Sequence, residues 1–253
     1  MPRNSEDILT EPPAPAADVR LAYGPEPKQF GDLRVPAGEG PWPLAVVIHG
    51  GAWRALYNLI HASPMCIALT EVGVATWSVE YRSVGDPGGG WPGTGGDVAR
   101  GIDFVSELGA RYPLDAARVV LVGHSAGGQL AQWAAKTTQL PVVALASVSD
   151  LRESAERIGP DGPVARFLGG MPDEVPDHYA EASPRELLPL NARQILVHGT
   201  EDADVPYAMS VAFAEAAGAD AELITLEGAG HFEPIDPQSA EWPLVVAAVR
   251  ELL

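Results

Sequence analysis

The chain is predicted to be an α/β protein, with a mostly parallel central sheet covered by helices on both faces. Apolar runs of strand length alternate with helix-like stretches along most of the 253 residues, and that alternation builds parallel sheets. The runs Leu44-Ala-Val-Val-Ile48, Val119-Val-Leu-Val122 and Ile195-Leu-Val197 are continuously apolar, as strands buried on both faces must be. Polar, glycine-containing motifs follow directly after these runs, at the carboxyl ends of strands where the functional loops of such sheets gather.

Taken in order, residues 1–18 read as an extended arm, with three prolines in Glu11-Pro-Pro-Ala-Pro-Ala-Ala17. Residues 19–23 and 30–35 read as short strands. Strand 44–48 leads to a helix over 64–72, with Ser63 as its cap, Pro64 in the first turn and Gly73 as its stop. Strand 74–81 comes next. The glycine-rich stretch 85–96 lacks the strand-to-helix context of a nucleotide cradle and reads as a surface loop, with Trp91 packed as a lid over the fold. Residues 97–112 form an amphipathic helix that turns Ile102, Val105 and Leu108 inward and is stopped by Pro113. Strand 119–122, helix 126–138 and strand 142–148 continue the alternation. Residues 151–190 hold Gly159-Pro-Asp-Gly-Pro163, Gly169-Gly170, Pro172 and Pro176, too broken for a long helix, so a small cap of short helices is expected there. Residues 222–226 supply the last strand. One domain over residues 1–253 is expected, since α/β folds of this size commonly stay undivided.

Four motifs carry chemistry. Gly123-His124-Ser125-Ala126-Gly127, between an apolar strand and the helix former Gln129-Leu-Ala-Gln-Trp-Ala-Ala-Lys136, reads as a serine nucleophile on a strand-to-helix elbow. Its flanking glycines are a steric requirement: a side chain at 123 or 127 would collide with the neighbouring strand or helix. His49-Gly50-Gly51-Ala52-Trp53 is a bare turn able to aim backbone N–H groups at developing negative charge. Gly51 and Ala52, with Ala126, are the candidate oxyanion donors. His198-Gly-Thr-Glu-Asp202-Ala-Asp204-Val-Pro206 offers two carboxylates, Asp202 and Asp204, either of which can orient an imidazole. Gly228-Ala-Gly-His231-Phe232 supplies that imidazole, with His231 as general base. Trp53 and Phe232 follow functional residues directly and are candidate walls of the substrate pocket.

Through HGGAW, GHSAGG, HGTEDADVP and GAGHF the chain resembles the α/β-hydrolase superfamily. Within it, the resemblance is to small carboxylesterases, to arylformamidases of the kynurenine formamidase type and to prolyl-oligopeptidase-like enzymes, and covers roughly residues 40 to 253. The chain order Ser…Asp…His is that of these hydrolases. The resemblance implies an α/β-hydrolase fold, opened by short antiparallel edge strands at 19–23 and 30–35, and places the catalytic aspartate at the fifth position of HGxxDxxVP, which is Asp202, with Asp204 as the alternative. It also implies hydrolysis of carboxylic esters through an acyl-enzyme, with arylformamidase action as the alternative. Peptidase action is disfavoured, because the peptidases of this group carry a large gating domain for which there is no room. A non-catalytic homologue is a third reading, disfavoured because every triad position is filled.

Composition narrows the partners. With 16 Lys and Arg against 34 Asp and Glu, the net charge of −18 repels nucleic acid and anionic lipid. A small ester or activated amide is the expected partner, and no nucleic acid or membrane is. No apolar run approaches bilayer length, and the first 23 residues lack the apolar core of a secretory signal, so the cytoplasm is the expected location. The single cysteine, Cys66, sits among Met65, Ile67, Ala68 and Leu69 and reads as a core thiol. No pair of histidines has metal-ligand spacing, so neither metal nor cofactor is expected. His49, His124 and His198 read as loop-holding neighbours of the motifs, and His61 and His178 as solvated. Glu80-Tyr81-Arg82 reads as structural, with Asp97 as a pairing partner.

Overall fold

The computed structural model describes residues 5–10 and 14–253. Eight strands form one sheet: β1 (Val19–Ala22), β2 (Phe30–Arg34), β3 (Trp42–Ile48), β4 (Ala75–Val79), β5 (Leu114–His124), β6 (Val142–Leu145), β7 (Gln194–Gly199) and β8 (Ala221–Leu226). Their order is β1-β2-β4-β3-β5-β6-β7-β8, with β1 and β2 antiparallel at one edge and parallel pairing from β4 onward. The predicted α/β-hydrolase architecture is what the chain adopts.

The helices are α1 (Ser63–Glu71), α2 (Gly93–Asp103), α3 (Val105–Arg111), α4 (Ala126–Thr138), α5 (Leu151–Ile158), α6 (Pro163–Leu168), α7 (Pro176–Ala182), α8 (Tyr207–Ala217) and α9 (Trp242–Glu251). Strand side chains alternate between two cores. Leu44, Val46 and Ile48 of β3 face α2, α3, α4 and α8, whereas Ala45 and Val47 face α1 and α9. Both faces are dry, which explains the uninterrupted apolar strands. Ile102, Val105 and Leu108 point inward, and Arg82 pairs with Asp97 at 2.7 Å. Cys66 is a buried thiol whose pKa burial pushes up to about 11. The 151–190 stretch forms α5, α6 and α7. Among the described residues no helix is long and apolar enough to cross a membrane.

Four local expectations are corrected. The N-terminal arm is not extended throughout: residues 5–9 make a 3-10 turn whose Ile8 enters the α1/α9 core, while residues 1–4 and 11–13 of the expected arm lie outside the described residues. Ser63 does not cap α1. A 3-10 turn (Leu59–Ala62) runs straight into that helix, and Asn58 supplies the capping oxygen by accepting from the Ile60 N–H at 2.9 Å. The 97–112 helix begins earlier, at Gly93, and breaks at Phe104. Its four glycine-rich opening residues belong to the expected surface loop, and tertiary bonds override their poor propensity: the Thr94 hydroxyl donates to the Arg82 carbonyl and accepts from the Gly90 N–H. Trp91 is half-buried against Trp133 and Phe167. Finally, His61 is buried and His178 half-buried, its Nδ1 at 2.7 Å from the Leu168 carbonyl.

The register pairs Ile48 with Gly123, so β3 and β5 end side by side. A Cβ at Gly127 would lie 2.1 Å from the Ile48 carbonyl oxygen, and one at Gly123 would lie 2.2 Å from that of Gly127. Both obstacles are backbone and cannot swing away. Gly127→Ala should therefore destabilise the fold by on the order of 3 kcal/mol, the upper part of the range for overpacking. Urea unfolding measures this, and a loss below about 0.5 kcal/mol would show that the backbones part easily.

Candidate active site

Four loops at the carboxyl ends of parallel strands meet over the sheet. Ser125 directly follows β5 and caps α4, with φ 55° and ψ −121°, a strained conformation for a residue with a side chain. It is held there by its N–H bond to the Leu145 carbonyl at 2.8 Å and by the packing of Gly123 and Gly127.

After β3 the chain turns through three consecutive residues of positive φ: Gly51 (113°), Ala52 (52°) and Trp53 (54°). Two of them carry side chains, so the turn needs an external anchor. Trp53 provides it, donating its indole N–H to Gln129 Oε1 at 3.0 Å and stacking on Phe167 at 4.7 Å. Gln129 in turn donates to the Ala182 carbonyl. Trp53 is thus both a cavity wall, as expected, and the strut of the turn. Among the described residues, the N–H groups of Gly51, Ala52 and Ala126 donate to no protein acceptor. Three free donors beside a serine, one of them opening a helix, form the kind of array that receives an oxyanion.

The choice between the two carboxylates is geometric. His231 Nδ1 lies 2.6 Å from Asp202 Oδ2. Asp204 is exposed on the cavity rim, and although its carboxylate, that of Asp202 and the His231 ring come within 4.8 Å of one another, no Asp204–His231 bond forms. Asp202 is saturated. Its Oδ2 also accepts from His198 Nε2 at 3.0 Å, and its Oδ1 accepts the backbone N–H groups of Asp204 and Val205 at 2.9 and 2.8 Å. With its oxygens so engaged, the Asp202, Asp204 and His231 group reads as an imidazole-orienting device, not a metal centre.

Burial works to raise the Asp202 pKa, but hydrogen bonds from His198 and His231 outweigh it and hold the carboxyl well below its ordinary range. The carboxylate therefore takes the proton of His231 Nδ1–H in hydrogen bonding, which leaves the Nε2 lone pair as the ring's basic position. Ser125 and His231 line one cavity of about 290 Å³ together with Gly51, Ala52, Trp53 and Phe232.

Three histidines support the site. His124 donates from Nε2 to the His231 carbonyl at 2.9 Å; burial, reinforced by the neighbouring His231, holds its pKa well below the ordinary value, so it stays neutral. His198 bridges Ser210 and Asp202. His49 stacks on Tyr81 and lies 3.4 Å from buried Glu80, which also accepts the Leu59 N–H. Sequence reasoning missed Gln129 as the strut's partner and His61 as a cavity wall. It also left Asp202 without its second imidazole, although the four-residue spacing of His198 and Asp202 was available as a signal.

The depressed Asp202 pKa carries a stability consequence. A carboxyl with a folded pKa below its unfolded value stabilises the fold above the unfolded value, near 4, and loses that contribution as pH falls toward the folded one. Unfolding free energy should thus drop more steeply below about pH 5 in the native protein than in Asp202→Asn. Parallel slopes in urea titrations from pH 6 to pH 3 would contradict the assignment.

The BD-FAE family model matches residues 32–217, a span that contains the 51–53 turn, Ser125 and Asp202 and stops short of His231. A probable isoprenylcysteine alpha-carbonyl methylesterase of Oryza sativa subsp. japonica is 27% identical over 238 residues, covering 83% of this chain and 57% of its own length. The probable carboxylic ester hydrolase LipM of Mycobacterium tuberculosis is 32% identical over 102 residues, 40% of this chain and 23% of its own. The chain spans about half the length of the first of these and less of the second. Among solved structures, a truncated carbohydrate esterase from gut microbiota matches with a TM-score of 0.81 at 23% identity, over 96% of this chain and 99% of that one. The Thermogutta terrifontis esterase Est2 matches with a TM-score of 0.73 at 21% identity, over 94% of each. Both structures share the fold.

Proposed function

The chain belongs to the BD-FAE family of α/β-hydrolases, and on that footing we propose that it is a carboxylic-ester hydrolase acting through a Ser125–His231–Asp202 triad. The observation that carries this reading is the 2.6 Å bond between His231 Nδ1 and Asp202 Oδ2, made by an imidazole that shares its cavity with a serine in elbow geometry. The ester-hydrolase names of the relatives support the same reaction class.

Ser125 Oγ attacks the ester carbonyl as His231 Nε2 takes its proton. Negative charge on the carbonyl oxygen is received by the N–H groups of Gly51, Ala52 and Ala126. His231 then protonates the leaving alcohol, leaving an acyl group on Ser125, and activates the water that releases the acid. Asp202 keeps the ring in the Nδ1–H tautomer and offsets its positive charge in both half-reactions. The chain's own groups suffice for every proton transfer in this cycle. Trp53 and Phe232 bound the space in which the acyl or alcohol portion rests.

Ser125→Ala should abolish hydrolysis of p-nitrophenyl acetate while leaving the circular dichroism spectrum unchanged; an undiminished rate would refute the nucleophile. Asp202→Asn, which favours the wrong tautomer, should lower kcat by about 10⁴, against less than tenfold for Asp204→Asn. Equal losses would remove the distinction between the carboxylates. N-formylkynurenine assayed in parallel decides between ester and formamide hydrolysis.

A further inference from the structure

Five large hydrophobic side chains are exposed among the described residues: Leu9, Leu56, Ile60, Ile158 and Leu244. Single exposed leucines mean little, but their grouping does. Leu9 and Ile158 line the Ser125 cavity. Leu56, 71% exposed, and Ile60, 46% exposed, line an adjoining groove of about 150 Å³ between the residue 5–9 turn and residues 56–61. The two spaces share Leu9, Tyr57 and His61 as walls, so the groove lies directly beside the cavity. Four of these five side chains therefore line the cavity or the groove beside it, and Leu244, on α9, lines neither.

The cavity is small. At about 290 Å³ it sits at the lower end of ligand pockets, with room for the reacting ester and little of a long chain. The shared wall is also uncharged. Burial, reinforced by His49, pushes the His61 pKa down to about 3, so the wall common to cavity and groove presents a neutral ring. The charged residues that line the cavity, Arg54 and Asp204, are not among the shared walls and do not line the groove, whereas a hydrocarbon chain leaves water on meeting Leu9, Leu56 and Ile60.

Resting on the reading of Ser125 as an ester-cleaving nucleophile, we propose that this groove binds an apolar arm of the substrate. The protein thus takes neutral esters with hydrocarbon arms that outgrow the cavity in preference to acetates of small alcohols. The occupant is the arm of a single substrate molecule, because a chain of net charge −18 is repelled by anionic lipid surfaces.

The test compares kcat/KM, at monomeric concentrations, along p-nitrophenyl esters from acetate to decanoate and along acetates from ethyl to decyl. One series should rise beyond four carbons, by up to about fourfold per buried methylene. In Leu56→Ser/Ile60→Ser the decanoyl-to-acetyl or decyl-to-ethyl ratio of that series should fall at least tenfold, while Leu244→Ser leaves it unchanged. Two flat or falling series, or a ratio indifferent to the double substitution, overturn the groove and leave the esterase reading intact. Silence on every ester overturns the esterase reading instead. Calorimetry of methyl decanoate with Ser125→Ala protein judges the groove independently of turnover. Binding should weaken at least tenfold when Leu56→Ser/Ile60→Ser is added, and undetectable or unaltered binding overturns the proposal.

Discussion

The site depends on how closely two backbones approach. The strands β3 and β5 end level with each other, and the turn after β5 passes so near the end of β3 that position 127 has no space for a methyl group. That approach puts the strained Ser125 against the equally strained turn 51–53, and neither conformation would persist alone. Strain of order 1–3 kcal/mol at such a residue persists only when surrounding packing overrules it. The overruling contacts are the two-sided core beneath the sheet and the Phe167–Trp53–Gln129 chain, which ties the turn after β3 to α4 and to the cap helices. Ser125 and the N–H groups of the 51–53 turn are thereby parts of one rigid piece.

Charge is arranged as carefully as shape. Although the chain is strongly acidic, one carboxylate orients the His231 imidazole, and each of its oxygens accepts two hydrogen bonds. A buried anion with every lone pair engaged costs little to keep ionised and cannot rotate. The imidazole packed beside His231, that of His124, stays neutral and so adds no positive charge next to that ring. His124 acts through the backbone, holding the carbonyl of His231.

Much of this was legible in the residues. Continuous apolar strands gave the sheet, and the elbow helix follows the predicted span because Gly123 and Gly127 leave it one place to start. The motif order already carried Ser125, His231 and a choice of aspartates. What escaped was tertiary in origin. Nothing local makes Gly93-Thr-Gly-Gly helical; the Thr94 hydroxyl does so by tethering segments twelve residues apart. Asp202 and Asp204 are equivalent on paper, and only the path of the loop brings one against His231. His61 looked solvated because its burial comes from His49, Tyr57 and the N-terminal turn, none of which its own sequence neighbourhood announces.

That N-terminal turn separates two boundaries that usually coincide. Counted by strands, the sheet begins at Val19, and a deletion guided by the hydrogen-bonded framework would cut just before it. Counted by cavity walls, the molecule begins at least ten residues earlier: Leu9 faces Ser125's cavity, Ile8 is locked into the α1/α9 core, and the Ser5 hydroxyl reaches Asp236 at 3.0 Å, across 231 residues of sequence. The shortest chain that completes the sheet is therefore not the shortest one that encloses the cavity: cutting just before the first strand would leave all eight strands in place and strip a wall from the space beside Ser125.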